Sequence, residues 1–307
     1  MATSLNVTTD APGEALSAEE ILSFERDGFV IPKAALDEEA AAELRRVVND
    51  IRDRNPGLND VAVVPYIPYR GIPTEGLHGG EQLFQFAIHP TILKAVRDVL
   101  GPDVILWGGE ILHKAPGTGK PSDWHQDCIV QTLRPEAGRT RDNLRGVNVW
   151  LAVDDVDVGN ASMRFVPGTS GKGLLDHNLA AKDPTNMDSF PFTLNLEGLP
   201  LDDAVDAILP SGHFSMHDLY AVHGSRPNIS DRRRVAVSFR YLDARDSFDR
   251  NFSTVYGNAH TMRAGRPIWL VSGENRNEAN NFIIGHEYLE ELDQLADQRR
   301  KELNAGC

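Results

Sequence analysis

The pattern of apolar and polar residues predicts that the first part of the chain is helical. Apolar residues recur at helical spacing in SAEEILSFERDGF, LDEEAAAELRRVVNDIRDRNPG and HPTILKAVRDVLG. Ser17 with Glu20 forms a capping signature, Asp37 is the expected N-cap of the second helix, and Pro90 begins the third, which Gly101 ends. A further helix is predicted near the C-terminus, in HEYLEELDQLADQRRKEL.

Short stretches rich in β-branched and aromatic residues follow from residue 104 onward. They are VILWGGEILHKA, VNVWLAVDDV, SMRFVPG, HFSMHDLYAVHG and RVAVSFRYL, and Gly, Pro, Asp and Asn separate them. Several alternate apolar with polar residues, which is typical of strands with one buried face. One strand is expected to end at His223 and to form a hairpin, through GSRPNISDR, with a strand that begins near Arg234.

Helices followed by strands predict an α+β fold in which an antiparallel barrel or jelly roll carries a helical layer. We expect a flexible tail over residues 1–16 and a single domain over residues 17–307. Long segments without a regular pattern have the length of lids or binding loops. They cover residues 132–146, 171–206 and 244–280. The domain divides into a helical layer at 17–101, a jelly-roll core at 104–243 and a lid or C-terminal extension at 244–307.

Composition and charge narrow the class of protein. The chain has 307 residues, 41% hydrophobic and 25% charged, as soluble globular proteins do. Its two cysteines, Cys128 and the terminal Cys307, predict no structural disulfide and a reducing compartment. A net charge of −14 disfavours nucleic acid and anionic membranes as partners. The N-terminal sequence lacks the features of a signal peptide, and we expect a cytoplasmic protein without a membrane partner.

The tetrapeptide WHQD contains the first candidate for chemistry. His125 and Asp127 stand two positions apart at the expected start of a strand, so their side chains point to the same side. They could be two ligands of one metal ion. The pair alone is a weak signal, because about one His-x-Asp arises by chance in such a chain. The alternative is a loop in which Asp127 caps a turn and His125 packs on a strand.

A second histidine and an arginine strengthen the metal hypothesis. His223 and Arg234, at facing ends of the expected hairpin, could both point into the interior. Two histidines and one carboxylate form the facial triad of non-haem Fe(II) oxygenases, which leaves three coordination positions open. Arg234 could bind the far carboxylate of a chelating 2-oxo acid bidentately, or could form a solvated basic turn with its arginine neighbours. His217 is the rival third ligand, and we expect it to be a pocket-wall or hydrogen-bonded core residue instead.

These segments resemble the phytanoyl-CoA dioxygenase-like family of Fe(II)/2-oxoglutarate oxygenases. KAPGTGKPSDWHQD, VNVWLAVDDVDVGNASMRFVPGTS and HGSRPNISDRRRVAVSFRYL occur in that order, and RDGFVIPKAAL resembles the family's opening. The likeness covers roughly residues 25–243. It implies a double-stranded β-helix core, of the jelly-roll or cupin-like kind, flanked by N-terminal helices and one C-terminal helix. It also implies that iron is held by His125, Asp127 and His223.

The resemblance implies further roles around the cosubstrate. Arg234 would anchor 2-oxoglutarate with Ser225 beside it, Trp150 matches an aromatic that lines the cosubstrate pocket, and Lys114 matches a lysine that reaches cosubstrate or substrate. Each has a plainer alternative: Trp150 as core, Ser225 as a turn cap and Lys114 as a solvated strand end.

Candidate substrate residues lie in two places. PYIPYRG, before the strand-rich part, offers Tyr66, Tyr69 and Arg70 where lids in such enzymes often lie. Gln126, between the two expected ligands, could face the substrate or be structural.

The resemblance implies an enzyme that uses Fe(II), 2-oxoglutarate and O₂ and releases succinate and CO₂. It would hydroxylate, desaturate or epoxidise an unactivated C–H group of a small molecule. No basic groove marks a coenzyme A site, so we expect a secondary metabolite or an amino-acid-like compound. A homodimer is the default expectation, since it is the commonest assembly. Two alternatives are a cupin-like zinc-dependent hydrolase with the same His125, Asp127 and His223 ligands, and a non-catalytic binding protein.

Overall fold

A computed structural model of the protein describes residues 15–56, 63–65, 77–117, 121–128, 144–179, 192–248, 250, 265–287 and 289–305. The α-helices in these ranges are α1 Ala18–Asp27, α2 Glu38–Arg54, α3 Phe84–Ala87, α4 Pro90–Leu100 and α5 Glu290–Ala305. The strands are β1 Phe29–Val30, β2 Val63–Pro65, β3 Val104–Lys114, β4 Ser122–His125, β5 Gly146–Ala152, β6 Met163–Phe165, β7 His177–Leu179, β8 Phe192–Leu194, β9 Val205–Asp206, β10 Phe214–Asp218, β11 His223–Ser225, β12 Arg234–Asp243 and β13 Trp269–Ser272. Short 3₁₀ turns lie at Gly80–Leu83, Ser170–Lys172 and Leu201–Asp203.

The predicted helices are confirmed, together with their start signals. At α1 the Ser17 hydroxyl accepts from the Glu20 N–H and the Glu20 carboxylate accepts from the Ser17 N–H, which is a full capping box. At α2 the Asp37 carboxylate accepts from the Ala40 N–H at 2.8 Å. These contacts satisfy backbone donors that a helix leaves without an intrahelical partner.

The large sheet is antiparallel and lies between the helices and the interior. Its order is β1-β10-β5-β12-β3-β13, with β2 also paired to β3. Alternate residues of each central strand face opposite ways. In β5, Val147, Val149 and Leu151 belong to the apolar cluster formed with α2 and α4, whereas Trp150 and Ala152 pack on the other side. The helices therefore cover the outer face of this sheet and leave the inner face for the site.

The small sheet packs against that inner face. Its order is β4-β11-β6-β9, and Met163 and Phe165 of β6 form one buried cluster with Trp150 and Ala236 of the large sheet. The ring of Phe165 stacks on Phe29 of β1, with 4.7 Å between centroids. Two facing antiparallel sheets with a helical layer confirm the predicted α+β jelly roll. A separate hairpin, β7-β8, lies beside β4.

The predicted hairpin between His223 and Arg234 is wrong. The expected single strand is divided into β10, in the large sheet, and β11, in the small sheet. Asp218 causes the break, because its Oδ1 accepts from the N–H groups of Tyr220 and Ala221 at 2.7 and 2.9 Å and thereby holds a turn. The residues of this turn are all buried, so the apolar pattern gave no sign of it. Arg234 opens β12, which pairs with β3 and β5.

Both ends of the described chain are tied to the domain. The N–H groups of Ala15 and Leu16 donate to the Asp98 carboxylate at 2.9 and 2.8 Å, and Leu16 is buried, so the end of the predicted tail is anchored. Within the predicted C-terminal extension, β13 adds an edge strand to the large sheet and α5 packs on it. A lid role for the remaining residues stays a prediction. No helix in the described ranges is long and apolar enough to span a membrane.

Candidate metal centre

Adjacent strands of the small sheet bring His125, Asp127 and His223 together. His125 ends β4 and His223 begins β11, and these two residues are direct cross-strand partners. Asp127 follows β4 by two residues. One ligand atom from each of the three lies within 4.8 Å of the others, and all three side chains are buried. Among the described residues, these three form the group of His, Cys, Asp or Glu side chains whose ligand atoms lie this close together.

Backbone carbonyls fix which nitrogen each histidine offers. The Nδ1 of His125 lies 2.7 Å from the carbonyl oxygen of Asp123, and the Nδ1 of His223 lies 2.9 Å from that of Ala221. A carbonyl oxygen can only accept, so each Nδ1 carries the proton and each Nε2 keeps its lone pair. These Nε2 atoms lie 3.9 and 3.7 Å from the Asp127 carboxylate. Burial also lowers the pKa of both imidazoles, which favours the neutral form that binds metals.

Two residues of the large sheet orient the Asp127 carboxylate. His217 on β10 donates from Nε2 to Oδ2 at 3.1 Å, and the amide of Asn148 on β5 donates to the same oxygen. Burial acts to raise the pKa of the Asp127 carboxyl. The electrostatic interaction with His223 and the hydrogen bond from His217 outweigh this effect and hold the pKa well below its usual range. Asp127 is therefore ionised, as a metal ligand must be.

The chemistry of the donor set fits iron. Two imidazole nitrogens and one carboxylate oxygen bind Fe(II) on one side and leave positions for a chelating ligand and O₂. The carbonyl contacts at Nδ1 and the hydrogen bonds to Asp127 form the outer shell that metal ligands usually have. The same three donors would also suit Zn²⁺, so the residues beyond the cluster decide between the two metals.

Arg234 and Lys114 place two buried cations side by side. They are cross-strand partners on β12 and β3, and both are less than 5% exposed. The Arg234 guanidinium carbon lies 5.3 Å from the Trp150 ring centroid, and the Lys114 ammonium donates to the carbonyl of Arg226 at 3.0 Å. The alternative of a solvated strand end for Lys114 is wrong. Trp150 is both a core residue and a neighbour of Arg234.

The arginines next to Arg234 show whether it belongs to a solvated basic turn. Arg232 is exposed and pairs with Asp157, and Arg233 pairs with Asp154, so a solvated turn describes these two residues but not Arg234. Ser225 is a buried residue of β11.

The structure gives no support for the candidate substrate residues as substrate contacts. The Gln126 amide donates to the carbonyls of Gly173 and Tyr220, at 2.9 and 2.6 Å, and accepts from the Leu175 N–H at 2.8 Å. These bonds engage the whole amide with the backbone and give no support to a substrate contact. Tyr66, Tyr69 and Arg70 lie outside the described residues.

Sequence reasoning missed Asn148 as part of the site. Its signal was present in VNVWLAV, where one amide interrupts a strand of apolar residues. A polar side chain buried in a strand needs a hydrogen-bond partner. Here that partner is the Asp127 carboxylate.

The two facing sheets and the His–Asp–His cluster, together with the family match that follows, identify a non-haem Fe(II)/2-oxoglutarate-dependent oxygenase. The chain belongs to the phytanoyl-CoA dioxygenase (PhyH) family, whose sequence profile matches residues 24–236. Ectoine dioxygenase of Bordetella parapertussis is 26% identical over 247 residues, which are 74% of this chain and 76% of that protein.

Solved structures support the same fold. The non-heme monooxygenase ThoJ in its apo form is similar with a TM-score of 0.61 at 24% identity, covering 93% of this chain and 98% of that one. EvdO2 from Micromonospora carbonacea var. aurantiaca, complexed with 2-oxoglutarate, gives a TM-score of 0.57 at 18% identity, covering 74% and 91%. At these identities the likeness concerns the fold.

Proposed function

We propose that the protein oxidises an unactivated C–H group of a small molecule, with hydroxylation as the default outcome, and converts 2-oxoglutarate to succinate and CO₂. The observation that carries this proposal is the presence of two buried groups: the His–Asp–His cluster, whose histidines lie on the small sheet, and the Arg234–Lys114 pair on the large sheet that faces it. The cluster supplies a metal site, and the cation pair supplies a place for a dicarboxylate.

Fe(II) would be held by the Nε2 atoms of His125 and His223 and by a carboxylate oxygen of Asp127. Bound iron and 2-oxoglutarate together supply the activation of O₂. The protein's own contribution is placement: carbonyl contacts fix the two imidazoles, and His217 and Asn148 fix the carboxylate.

The far carboxylate of 2-oxoglutarate would bind at Arg234. A planar guanidinium suits a carboxylate because it donates two parallel hydrogen bonds. Lys114 adds positive charge at the neighbouring position, and Trp150 covers the guanidinium. Ser225, on the same strand as His223, is the proposed additional donor. A zinc hydrolase that used the same three ligands would give Arg234 and Lys114 no role.

The substrate is proposed to be a free small molecule, a secondary metabolite or an amino-acid-like compound. The relative named for ectoine supports a substrate of this size. Tyr66, Tyr69 and Arg70 stay predictions for its pocket. A single domain over residues 17–307, a homodimer and a cytoplasmic location also stay predictions.

Succinate release tests the proposal and separates it from the hydrolase. Protein reconstituted with Fe(II) in air is expected to form succinate from 2-oxoglutarate slowly on its own and faster with a substrate from a panel of small molecules. The same protein loaded with Zn²⁺ is the control and is expected to form none. If the iron form yields no succinate with any compound while the zinc form hydrolyses esters or amides, the oxygenase assignment is wrong.

A further inference from the structure

A single turn lies behind the metal centre. Residues 218–222 connect β10, which carries His217, to β11, which begins at His223. All five residues of this 218–222 turn are buried, so its polar backbone groups need partners inside the protein. Those partners include both chain segments that supply the metal ligands.

Two carbonyl groups of the turn hold the segment that carries Asp127. The Leu219 carbonyl accepts from the Cys128 N–H at 2.8 Å, and the Tyr220 carbonyl accepts from the Gln126 amide at 2.6 Å. Gln126 and Cys128 are the chain neighbours of Asp127 on either side. One turn therefore fixes the chain on both sides of this ligand.

The next carbonyl group of the same turn orients a second ligand. The Ala221 carbonyl accepts from the Nδ1 of His223 at 2.9 Å, which directs the Nε2 of that ring towards the centre. Three successive carbonyl groups thus contact the ligand-bearing segments at β4 and β11. A rotation of their peptide planes would move these ligands relative to one another.

The carboxylate of Asp218 fixes two of these peptide planes. Its Oδ1 accepts from the N–H groups of Tyr220 and Ala221 at 2.7 and 2.9 Å, and its Oδ2 accepts from the Ser170 hydroxyl. A peptide group is planar, so an N–H that is held in place also holds the carbonyl of the preceding residue. Asp218 therefore directs the carbonyl groups of Leu219 and Tyr220.

The hydroxyl of Thr169 fixes the third plane. It accepts from the Val222 N–H at 2.9 Å and donates to the Val166 carbonyl at 2.7 Å. The Val222 N–H belongs to the same peptide group as the Ala221 carbonyl, which is the partner of His223. Thr169 is buried, and its two hydrogen bonds give the hydroxyl a fixed direction.

We propose that Asp218 and Thr169 are positioning residues for iron binding, and that they act through the 218–222 turn without contact with the metal. This inference rests on the proposed function, since it takes the His–Asp–His cluster as an iron site. Asp218 holds the planes that set the Asp127 segment, and Thr169 holds the plane that sets His223. Gln126 belongs to the same set, since its amide joins the Asp127 segment to the turn.

Pairs of variants that remove or keep the contacts test this. Asp218→Ala and Thr169→Val remove the acceptors, and each is expected to weaken Fe(II) binding by about 10- to 100-fold. Asp218→Asn and Thr169→Ser keep an oxygen at the same position and are expected to retain most of the affinity. Because Asp218→Asn also removes the charge, it separates positioning from electrostatics. Affinity is measured under argon by competition with a chelator.

Asp157→Ala is the control for a general loss of stability. Asp157 holds a turn of the same kind, since its Oδ1 accepts from the N–H groups of Gly159 and Asn160 at 2.8 and 3.1 Å, but its side chain is 44% exposed. Urea unfolding of the metal-free proteins measures the stability that each variant loses. Asp157→Ala is expected to lose stability and to bind Fe(II) as the wild type does.

Three results would overturn the inference. They are wild-type Fe(II) affinity in folded Asp218→Ala and Thr169→Val, losses in Asp218→Asn and Thr169→Ser as large as those in their partners, and an equal loss in Asp157→Ala. If Asp218→Ala does not fold, Thr169→Val and Thr169→Ser carry the test.

A different result concerns the proposed function. Wild-type protein that binds Fe(II) but shows no visible band with 2-oxoglutarate contradicts the oxygenase assignment. The positioning role is still decided in that case, because Fe(II) affinity is measured without 2-oxoglutarate.

Discussion

His217 and Asn148 face each other across β10 and β5, and both donate a hydrogen bond to the same oxygen, Oδ2 of Asp127. The large sheet thus holds the carboxylate that completes a metal cluster whose two histidines come from the small sheet. Because both contacts engage one oxygen, they fix the rotation of the carboxylate, and Oδ1 lies on the side of His125. The packing of the two sheets therefore sets the geometry of the site.

Replacing Asn148 by Ala is expected to weaken Fe(II) binding by about 10- to 100-fold, the usual cost of losing an outer-shell contact. The physical reason is that Asp127 loses a hydrogen bond that orients it. Metal affinity is measured under argon by competition with a chelator. Asn195→Ala, at an exposed position, is the control. An Asn148→Ala protein with wild-type affinity would show that this contact does not position the ligand.

His217 is expected to act as a donor to Asp127 and not as a metal ligand, since its Nε2 proton lies in that hydrogen bond. Gln can donate at a similar position, so His217→Gln should retain most of the metal affinity, whereas His217→Phe should lose at least about tenfold. His223→Gln should abolish tight binding. If His217→Gln and His223→Gln were equally damaging in a metal titration, the choice of His223 as third ligand would need revision.

Arg234→Gln is expected to weaken 2-oxoglutarate binding by roughly 10- to 100-fold, because a charge-assisted contact to a carboxylate is lost. Fe(II) affinity should change little, as Arg234 is not among the metal donors. The test is the concentration of 2-oxoglutarate that half-saturates the visible band of the iron protein. Arg232→Gln, on the exposed turn, is the matched control. Equal half-saturation in both variants would place the cosubstrate elsewhere.

Protonation of His89 is expected to lower the stability of the fold in mild acid. It caps α4 by accepting from the Thr91 N–H, and burial, with the charge of Arg299, lowers its pKa to about 4. The unfolded chain protonates this histidine near pH 6.5, whereas the folded chain does so only near pH 4, so stability falls as the pH drops between these values. The loss is roughly 3 kcal/mol at most.

The measurement for His89 is urea unfolding from pH 7 to pH 4, compared with His89→Asn. Asn is a good N-cap and does not titrate, so the variant should lose less stability over this range. Parallel pH dependences in the two proteins would show that His89 does not control the acid response.

Local sequence signals predicted the helices and the jelly-roll class correctly. Capping at Ser17 and Asp37 is determined within one helical turn, and the alternation in RVAVSFRYL placed Arg234 on the inner face. The strand pairing of His223 could not be predicted, because it depends on a turn at Asp218 that lies inside a continuous apolar run. The expected grouping of His125 with His223 arises from pairing between β4 and β11, not from a hairpin with β12.

The features of the site that the sequence did not predict depend on contacts between residues distant in sequence. The role of Asn148 depends on a partner in another sheet. The ring of Trp107 on β3 lies close to Arg240 of β12 and to Arg266, which follows the predicted core. No spacing within one segment indicates such a grouping. It becomes visible only when the register of the large sheet is known.

The most direct test of the metal centre is anaerobic titration of Fe(II) and 2-oxoglutarate, followed by the weak visible charge-transfer band of their complex. The wild type is expected to show the band, as are His78→Ala and Asp202→Ala at exposed positions. Asp127→Ala and His223→Ala are expected to show none, because each lacks one of the three donors. A band of wild-type strength in both Asp127→Ala and His223→Ala would contradict the assignment of the centre.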